Sequence, residues 1–158
     1  MNKLKFKMGI KLIDLKNLKN CKLNNNYINL INIKYIPNQA FEKITNKSNS
    51  FISKSFNIAF KIIKLGITNK LINGPISKKT FLNKKYPGIT EYIAKKSNSN
   101  KNAMLIYNKE LSVCPITTHL PLKKVAKFIT KKKIYEKILL INDFYKKYRG
   151  FRPKIAVI

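Results

Sequence analysis

The segment that decides the fold class runs from residue 111 to residue 122 and reads LSVCPITTHLPL. Its first half is an apolar run of strand length, and its second half leads into a helical pattern that begins near Pro121. Between them lies His119, the only histidine in 158 residues. Ligands of open α/β sheets bind beyond the carboxyl ends of the strands. The segment therefore predicts an α/β domain with polar chemistry at Thr117, Thr118 and His119.

Helical and extended patterns continue on both sides of this segment. Apolar residues spaced by three and four predict a helix from about Ser48 that stops at Gly66, a second from Pro121 to about Ile129, and a third from about Lys131 to Tyr148. Strand-length apolar runs lie at residues 10–15, 27–36, 67–72, 103–107, 111–116 and 154–158. We predict a strand-like N-terminal segment over residues 1–47 and an α/β domain over residues 48–158.

The composition is strongly basic. The formal net charge is +28, which is typical of proteins that bind polyanions such as nucleic acids. Lys, Asn and Ile occur 32, 20 and 24 times, however, and their codons are all rich in A and T. Only Arg149 and Arg152 are arginines, although Arg is the preferred residue for bidentate phosphate contacts. Compositional drift therefore explains the charge better, and a small basic nucleic-acid-binding domain stays an alternative.

The two cysteines and the N-terminal residues indicate the cellular compartment in which the protein works. Cys21 and Cys114 are too few and too far apart for a metal cluster or a disulfide framework. Cys114 lies in an apolar run and is predicted to be a small core residue rather than a reactive thiol. The basic stretch from Met1 to Lys7 is not followed by the apolar region of a signal peptide. These features predict a reduced, cytoplasmic protein that does not enter a membrane.

Two turns present further candidate residues. Asn73, Gly74 and Pro75 form a predicted turn at a strand end, and Lys78 follows it as a possible anion contact. A second predicted turn at Gly88 precedes Thr90, which opens a helical stretch. Thr90 could act as an N-cap, or its hydroxyl and the first helical amides could bind a phosphate. The residue types alone leave both interpretations open.

A single histidine limits the chemistry that these residues can perform. Catalytic metal sites usually take three protein ligands, and His119 has neither a second histidine nor clustered cysteines to join it. The Gly-x-Ser-x-Gly elbow, the Walker loop and the Gly-x-Gly-x-x-Gly fingerprint are all absent from the sequence. A serine hydrolase and a typical nucleotide-binding motif are therefore not supported.

Three blocks of sequence resemble 4-hydroxythreonine-4-phosphate dehydrogenase, a metal- and nicotinamide-dependent enzyme family of pyridoxal phosphate biosynthesis. The blocks are Gly74 to Lys78, Gly88 to Glu91, and Thr117 to Leu122, and they occur in the family order at compatible spacings. The closing segment from Arg152 to Val157 also looks like the family strand that precedes its next histidine motif. The resemblance covers residues 50–158 continuously and the first fifty residues more loosely.

The resemblance implies roles for four residues. His119 matches a family histidine that binds a divalent metal (Zn, Mg or Co), and Thr90 matches a threonine that contacts the phosphorylated substrate. Ile89 stands where family members have a substrate-binding histidine, and an isoleucine cannot donate that hydrogen bond. Lys78 matches a family lysine by position and is assigned only a possible anion contact.

The resemblance also implies an architecture and a reaction. The family fold is a three-layer α/β/α domain within a two-domain structure like those of isocitrate and isopropylmalate dehydrogenases, and it assembles as a homodimer. The reaction is NAD-dependent, metal-assisted oxidation and decarboxylation of 4-hydroxythreonine 4-phosphate. One metal ligand where three are expected predicts an internal fragment that is inactive alone. A non-catalytic remnant that only associates with a missing partner segment is the other alternative.

Overall fold

The computed structural model describes residues 8–39, 42–99 and 101–158. The basic N-terminal stretch from Met1 to Lys7, on which the signal-peptide argument rests, lies outside these residues. The described part of the chain is mixed helix and strand, which confirms the α/β class at that level. None of its helices is both long enough and apolar enough to cross a membrane.

Two short strands pair in parallel near the start of the described chain. Strand β1 is Gly9–Leu12, strand β2 is Tyr27–Leu30, and Gly9 is aligned with Tyr27 in the register. A 3-10 turn, Leu15–Asn20, lies in the connection, which has the length that parallel neighbours require. Both predicted strands are thus found, but the second ends at Leu30 and does not reach Pro37.

Four α-helices follow in the part of the chain that the structure describes. They are α1 Asn49–Lys64, α2 Ile89–Lys96, α3 Leu122–Phe128 and α4 Lys131–Arg149. A 3-10 turn, Asn46–Ser48, leads into α1, and a π-helical turn spans Lys78–Leu82. Gly66 and Gly150 follow α1 and α4 with φ angles of 74° and 76°. Because glycine adopts this left-handed conformation without a Cβ penalty, both helices stop where the sequence predicts.

The chain divides into two compact units between Phe81 and Leu82. In the first unit the buried apolar residues are Ile13, Leu18 and Phe56, and the Phe56 ring lies 6.1 Å from that of Phe60. The predicted boundary between residues 47 and 48 stays a prediction. It marked where the α/β domain with the family motifs begins, which is a different question from the division into compact units.

The second unit is held together by aromatic and hydroxyl contacts. Its buried apolar residues are Leu82, Tyr92 and Tyr145. The Tyr145 hydroxyl lies 3.0 Å from Ser112 Oγ, so α4 is tied to the extended segment before His119. The predicted hairpin is present only as one antiparallel bridge, between Ile106 and Val113.

Two predicted strands are wrong. Residues 67–72 and 154–158 have no regular structure, and Ile72 and Val157 are 96% and 61% exposed. An apolar run becomes a buried strand only when another strand satisfies its backbone groups and a layer covers its side chains. The described residues supply neither at these positions. The predicted turn at Gly74 likewise lies in irregular chain.

Candidate functional site

His119 lies in the irregular segment between the Ile106–Val113 bridge and α3. Its side chain is exposed and its φ angle is 54°, a left-handed conformation that is uncommon for residues other than glycine. Pro121 is the N-cap of α3, and its fixed φ suits the entry to the helix. The backbone therefore turns sharply at His119 and presents the imidazole at the end of the extended segment.

Gly88 brings the two motif blocks of this unit together. A Cβ built on Gly88 would lie 2.8 Å from Glu91 Oε2 and 3.1 Å from His119 Nε2. Both distances are shorter than ordinary van der Waals contact, so a side chain at this position would require both groups to shift. The carboxylate and the imidazole, which are 28 positions apart in the sequence, thus both lie against Gly88, although no hydrogen bond joins them.

Glu91 is the residue of this site that the sequence prediction missed. The Thr118 hydroxyl donates to Glu91 Oε1 at 3.3 Å. Glu91 Oε2 is buried and has no hydrogen-bond partner among the described residues. Glu91 belongs to the resemblance block that begins at Gly88, but nothing in the sequence separated it from an ordinary acidic residue in the first turn of a helix. We call Gly88, Glu91, Thr118 and His119 the Gly88 cluster.

Ile89 and Thr90 are the first two residues of α2. The N-cap is Gly88, whose backbone is extended and which offers no side-chain cap. The interpretation of Thr90 as the N-cap is therefore wrong. The first amides of a helix have no intrahelical acceptor, and the helix dipole favours a negative charge beside them. Ile89 and Thr90, both half-buried, lie at this helix N-terminus, and their contact with a phosphorylated substrate stays a prediction.

Lys78 belongs to the first unit. It begins the π-helical turn and its side chain is exposed. The Gly88 cluster belongs to the second unit, so the structure describes the two separately. The possible anion contact of Lys78 stays a prediction.

A cavity of about 350 Å³ borders the same extended segment. Thr117 and Thr118 form part of its wall, together with Lys133 and Lys137 of α4. The ammonium group of Lys133 lies 4.5 Å from the centre of the Phe128 ring, and that of Lys137 donates to the carbonyl of Asn102. Both cations are thus held by protein groups beside the cluster.

The described residues contain no group of three His, Cys, Asp or Glu side chains that could hold a metal ion. The exposed imidazole of His119 fits one position of a metal site, since imidazole is a common ligand of divalent metals. The Gly88 cluster can thus supply one donor but not a complete catalytic site.

Cys114 lies in the apolar run before His119 and contributes to a larger apolar cavity of about 570 Å³. Burial raises the pKa of its thiol, and the charge of Lys137 lowers it by a smaller amount. Because the thiolate is the nucleophile, we expect iodoacetamide at about pH 8 to alkylate Cys114 several-fold more slowly than free cysteine. Time-resolved peptide mass spectrometry measures this rate. Equal rates would contradict the burial of the thiol.

Comparison with known proteins connects this geometry with a family. The sequence profile of the family described as pyridoxal phosphate biosynthetic protein PdxA matches residues 2–158. A 4-hydroxythreonine-4-phosphate dehydrogenase of Sulfurihydrogenibium sp. is 44% identical over 91 residues, which are 56% of this chain and 28% of that protein. One from Neisseria meningitidis serogroup A is 31% identical over 121 residues, which are 73% of this chain and 37% of that protein.

A third relative carries a different substrate name. A D-threonate 4-phosphate dehydrogenase of Pectobacterium atrosepticum is 37% identical over 73 residues, which are 46% of this chain and 22% of that protein. The chain thus spans well under half the length of these relatives. All three relatives are named dehydrogenases, so the family is one of oxidoreductases. Because its profile matches nearly the whole chain, this protein belongs to the family of pyridoxal phosphate biosynthetic protein PdxA.

Proposed function

We propose that the chain supplies part of the active site of an NAD-dependent, metal-assisted dehydrogenase that oxidises and decarboxylates 4-hydroxythreonine 4-phosphate in pyridoxal phosphate biosynthesis. The observation that carries the proposal is that His119 Nε2 lies 3.1 Å from the Cβ position of Gly88, the N-cap of α2. The imidazole of one family motif thus lies beside the helix N-terminus of another. Membership of a dehydrogenase family supports the same reaction.

His119 would hold a divalent metal (Zn, Mg or Co) through its imidazole, with the remaining ligands supplied from outside the described residues. When bound, such an ion supplies positive charge that stabilises an alcohol oxygen as it loses its proton, and NAD is the hydride acceptor. The left-handed backbone at His119 supports this role, because it turns the ring toward Gly88 and leaves the side chain accessible. In this proposal the chain contributes one oriented metal ligand, the imidazole of His119.

Thr90 and the first amides of α2 would bind the phosphate group of the substrate. Support comes from their place at a helix N-terminus without a side-chain cap, where a phosphate is favoured by both hydrogen bonds and the helix dipole. For Lys78 we propose an anion contact only on its positional match to a family lysine. A phosphorylated substrate is common to the names of both kinds of relative, 4-hydroxythreonine 4-phosphate and D-threonate 4-phosphate. We favour the first, which is the name of most of these relatives.

The architecture and setting of the complete enzyme are part of the proposal. The chain would contribute to a three-layer α/β/α domain in a two-domain enzyme like isocitrate and isopropylmalate dehydrogenases. That enzyme would be a cytoplasmic homodimer. The small parallel sheet and the helices of the described chain support the α/β class of that domain.

A chimera tests the proposed function. In it, the matching segment of the Sulfurihydrogenibium relative is replaced by residues 82–158 of this chain, and NADH formation is followed with 4-hydroxythreonine 4-phosphate and a divalent metal. We expect turnover by the folded chimera and none by the isolated chain, whose described residues hold no group of three metal ligands. A folded dimeric chimera without turnover would contradict the proposed function. Turnover by the isolated chain would contradict its dependence on further segments.

The Ile89→His substitution in the chimera tests the substrate contact. A histidine at the first position of α2 can donate a hydrogen bond to the substrate, which isoleucine cannot. A hydrogen bond to a charged group contributes about 1.5–3 kcal/mol, so we expect KM for the phosphorylated substrate to fall by about 10-fold or more. Steady-state kinetics measure the change, with Ile93→His in the same helix as the control. An unchanged KM would show that position 89 does not face the substrate.

A further inference from the structure

Two lysines of this chain differ from the others in their burial. Lys133 and Lys137 of α4 are half-buried, whereas every other lysine among the described residues is exposed. Lysine is rarely withdrawn from solvent, because its ammonium group loses hydration that only a partner can replace. Both side chains line the same cavity of about 350 Å³. The basic composition of the chain explains exposed lysines, but it does not explain why these two share one cavity.

The ammonium groups of both lysines lie beside this cavity. That of Lys133 lies 4.5 Å from the centre of the Phe128 ring, and that of Lys137 donates to the carbonyl of Asn102. Phe128 and Asn102 are themselves part of the cavity wall. An ammonium group has three N–H donors, and the carbonyl of Asn102 accepts one from Lys137. Donors therefore remain for a ligand.

Positive charge exceeds negative charge in the wall of the cavity. Lys133 and Lys137 lie one turn apart on the same face of α4, where like charges repel. Lys101, which is exposed, adds a third cation. Glu136 places one carboxylate in the wall, and it forms no ion pair with Lys133 or Lys137 in the part of the chain that the structure describes. An anion bound between Lys133 and Lys137 would offset their repulsion.

The rest of the wall is largely apolar and suits a ligand with an apolar part. Its apolar residues are Ile116, Leu120, Phe128 and Leu140. Sites for small molecules usually combine apolar walls with a few polar groups, in cavities of about 300–1,000 Å³. Two ammonium groups match the nearly two negative charges that a phosphate monoester carries at neutral pH. We propose that this cavity binds a small phosphate monoester with an apolar body, and that Lys133 and Lys137 hold its phosphate.

This site goes beyond the proposed function. In that proposal Thr90 and the first amides of α2 bind the substrate phosphate, whereas the cavity is lined by α4 and by the extended segment that precedes His119. The substrate 4-hydroxythreonine 4-phosphate also has no apolar body that would contact Ile116 or Leu140. The ligand of the cavity is therefore a different phosphate monoester.

Titration of the full 158-residue chain with phenyl phosphate tests the inference, with amide NMR shifts as the measurement. At about pH 7.5 and about 0.15 M NaCl, we expect saturable shifts in residues 116–118 and 133–140. Lys133→Gln and Lys137→Gln are each expected to weaken binding by about 10-fold, because each removes charge-assisted hydrogen bonds to the phosphate. Lys132→Gln is the matched control, since it removes the same charge from an exposed position of the same helix. We expect it to change the affinity by less than about 2-fold.

Three results would overturn the inference, once circular dichroism shows that the variants keep the native helix content. An equal loss of affinity in Lys132→Gln would show only the general attraction of a chain with a net charge of +28 for anions. Inorganic phosphate should bind about 10-fold more weakly than phenyl phosphate, so equal affinities would show that the apolar wall takes no part. Shifts confined to residues outside the cavity would place the ligand elsewhere. These measurements need no metal, NAD or turnover, so they are independent of the outcome for the proposed function.

Discussion

The His119→Ala substitution is expected to lower kcat of the chimeric dehydrogenase by about 1000-fold or more, which corresponds to about 4 kcal/mol of transition-state stabilisation. His119 is the only imidazole that this chain can offer to a metal, and loss of a catalytic metal removes several kcal/mol of charge stabilisation. The measurement is NADH formation at saturating substrate and metal, together with the metal content of the purified variant.

The matched control for His119→Ala is Lys123→Ala, because Lys123 is exposed and lies four residues further along, in α3. We expect this variant to keep kcat within about 3-fold, since isolated surface substitutions have small effects. A His119→Ala chimera with nearly full activity and metal content would show that the metal is held elsewhere. The proposed role of His119 would then be wrong.

The Phe56→Ala substitution is expected to destabilise the first unit by about 3–5 kcal/mol, the usual cost of removing a buried aromatic ring. Phe56 is 5% exposed, and its ring lies near those of Phe60 and Phe81, at 6.1 Å and 6.3 Å between centroids. Leu18 and Ile13 are the other buried apolar residues described in this unit, and both are more exposed than Phe56. A unit of this size has a total stability of roughly 4–12 kcal/mol, so the loss would unfold a large fraction of it.

Urea unfolding followed by circular dichroism, with hydrogen exchange of the α1 amides, measures the effect of Phe56→Ala. Lys54→Ala on the exposed side of the same helix is the control, and we expect its stability to change by less than about 0.5 kcal/mol. A loss below about 1 kcal/mol in Phe56→Ala would show that the aromatic cluster is not the core of the first unit.

Helices were predicted well because their signals are local. The spacing of Ile52, Phe56 and Ile63 predicts a helix that ends before Gly66, and the structure has α1 at Asn49–Lys64. The same reasoning predicts α4, which ends at Arg149 before Gly150. A helix satisfies its backbone hydrogen bonds within itself, so periodicity and terminal glycines contain most of the information needed.

Strands were predicted less well because their partners are not local. The runs at residues 67–72 and 154–158 have the apolar content of strands, yet neither forms one in the structure. Composition describes the side chains of such a run but not the neighbour that must accept its backbone hydrogen bonds. The prediction of Thr90 as an N-cap was wrong because the N-cap of α2 is Gly88, which has no capping side chain.

The sequence by itself determined the helical segments and the three motif blocks and made His119 the candidate metal ligand, since each depends on residue type and spacing along the chain. Only the tertiary structure decided that Glu91 and His119 both lie against Gly88. The two residues are 28 positions apart in the sequence, and their placement involves the left-handed turn at His119 and the hydrogen bond from Thr118 to Glu91. The burial of Glu91 Oε2 is likewise a property of packing, because the local sequence does not specify which atoms lose contact with water.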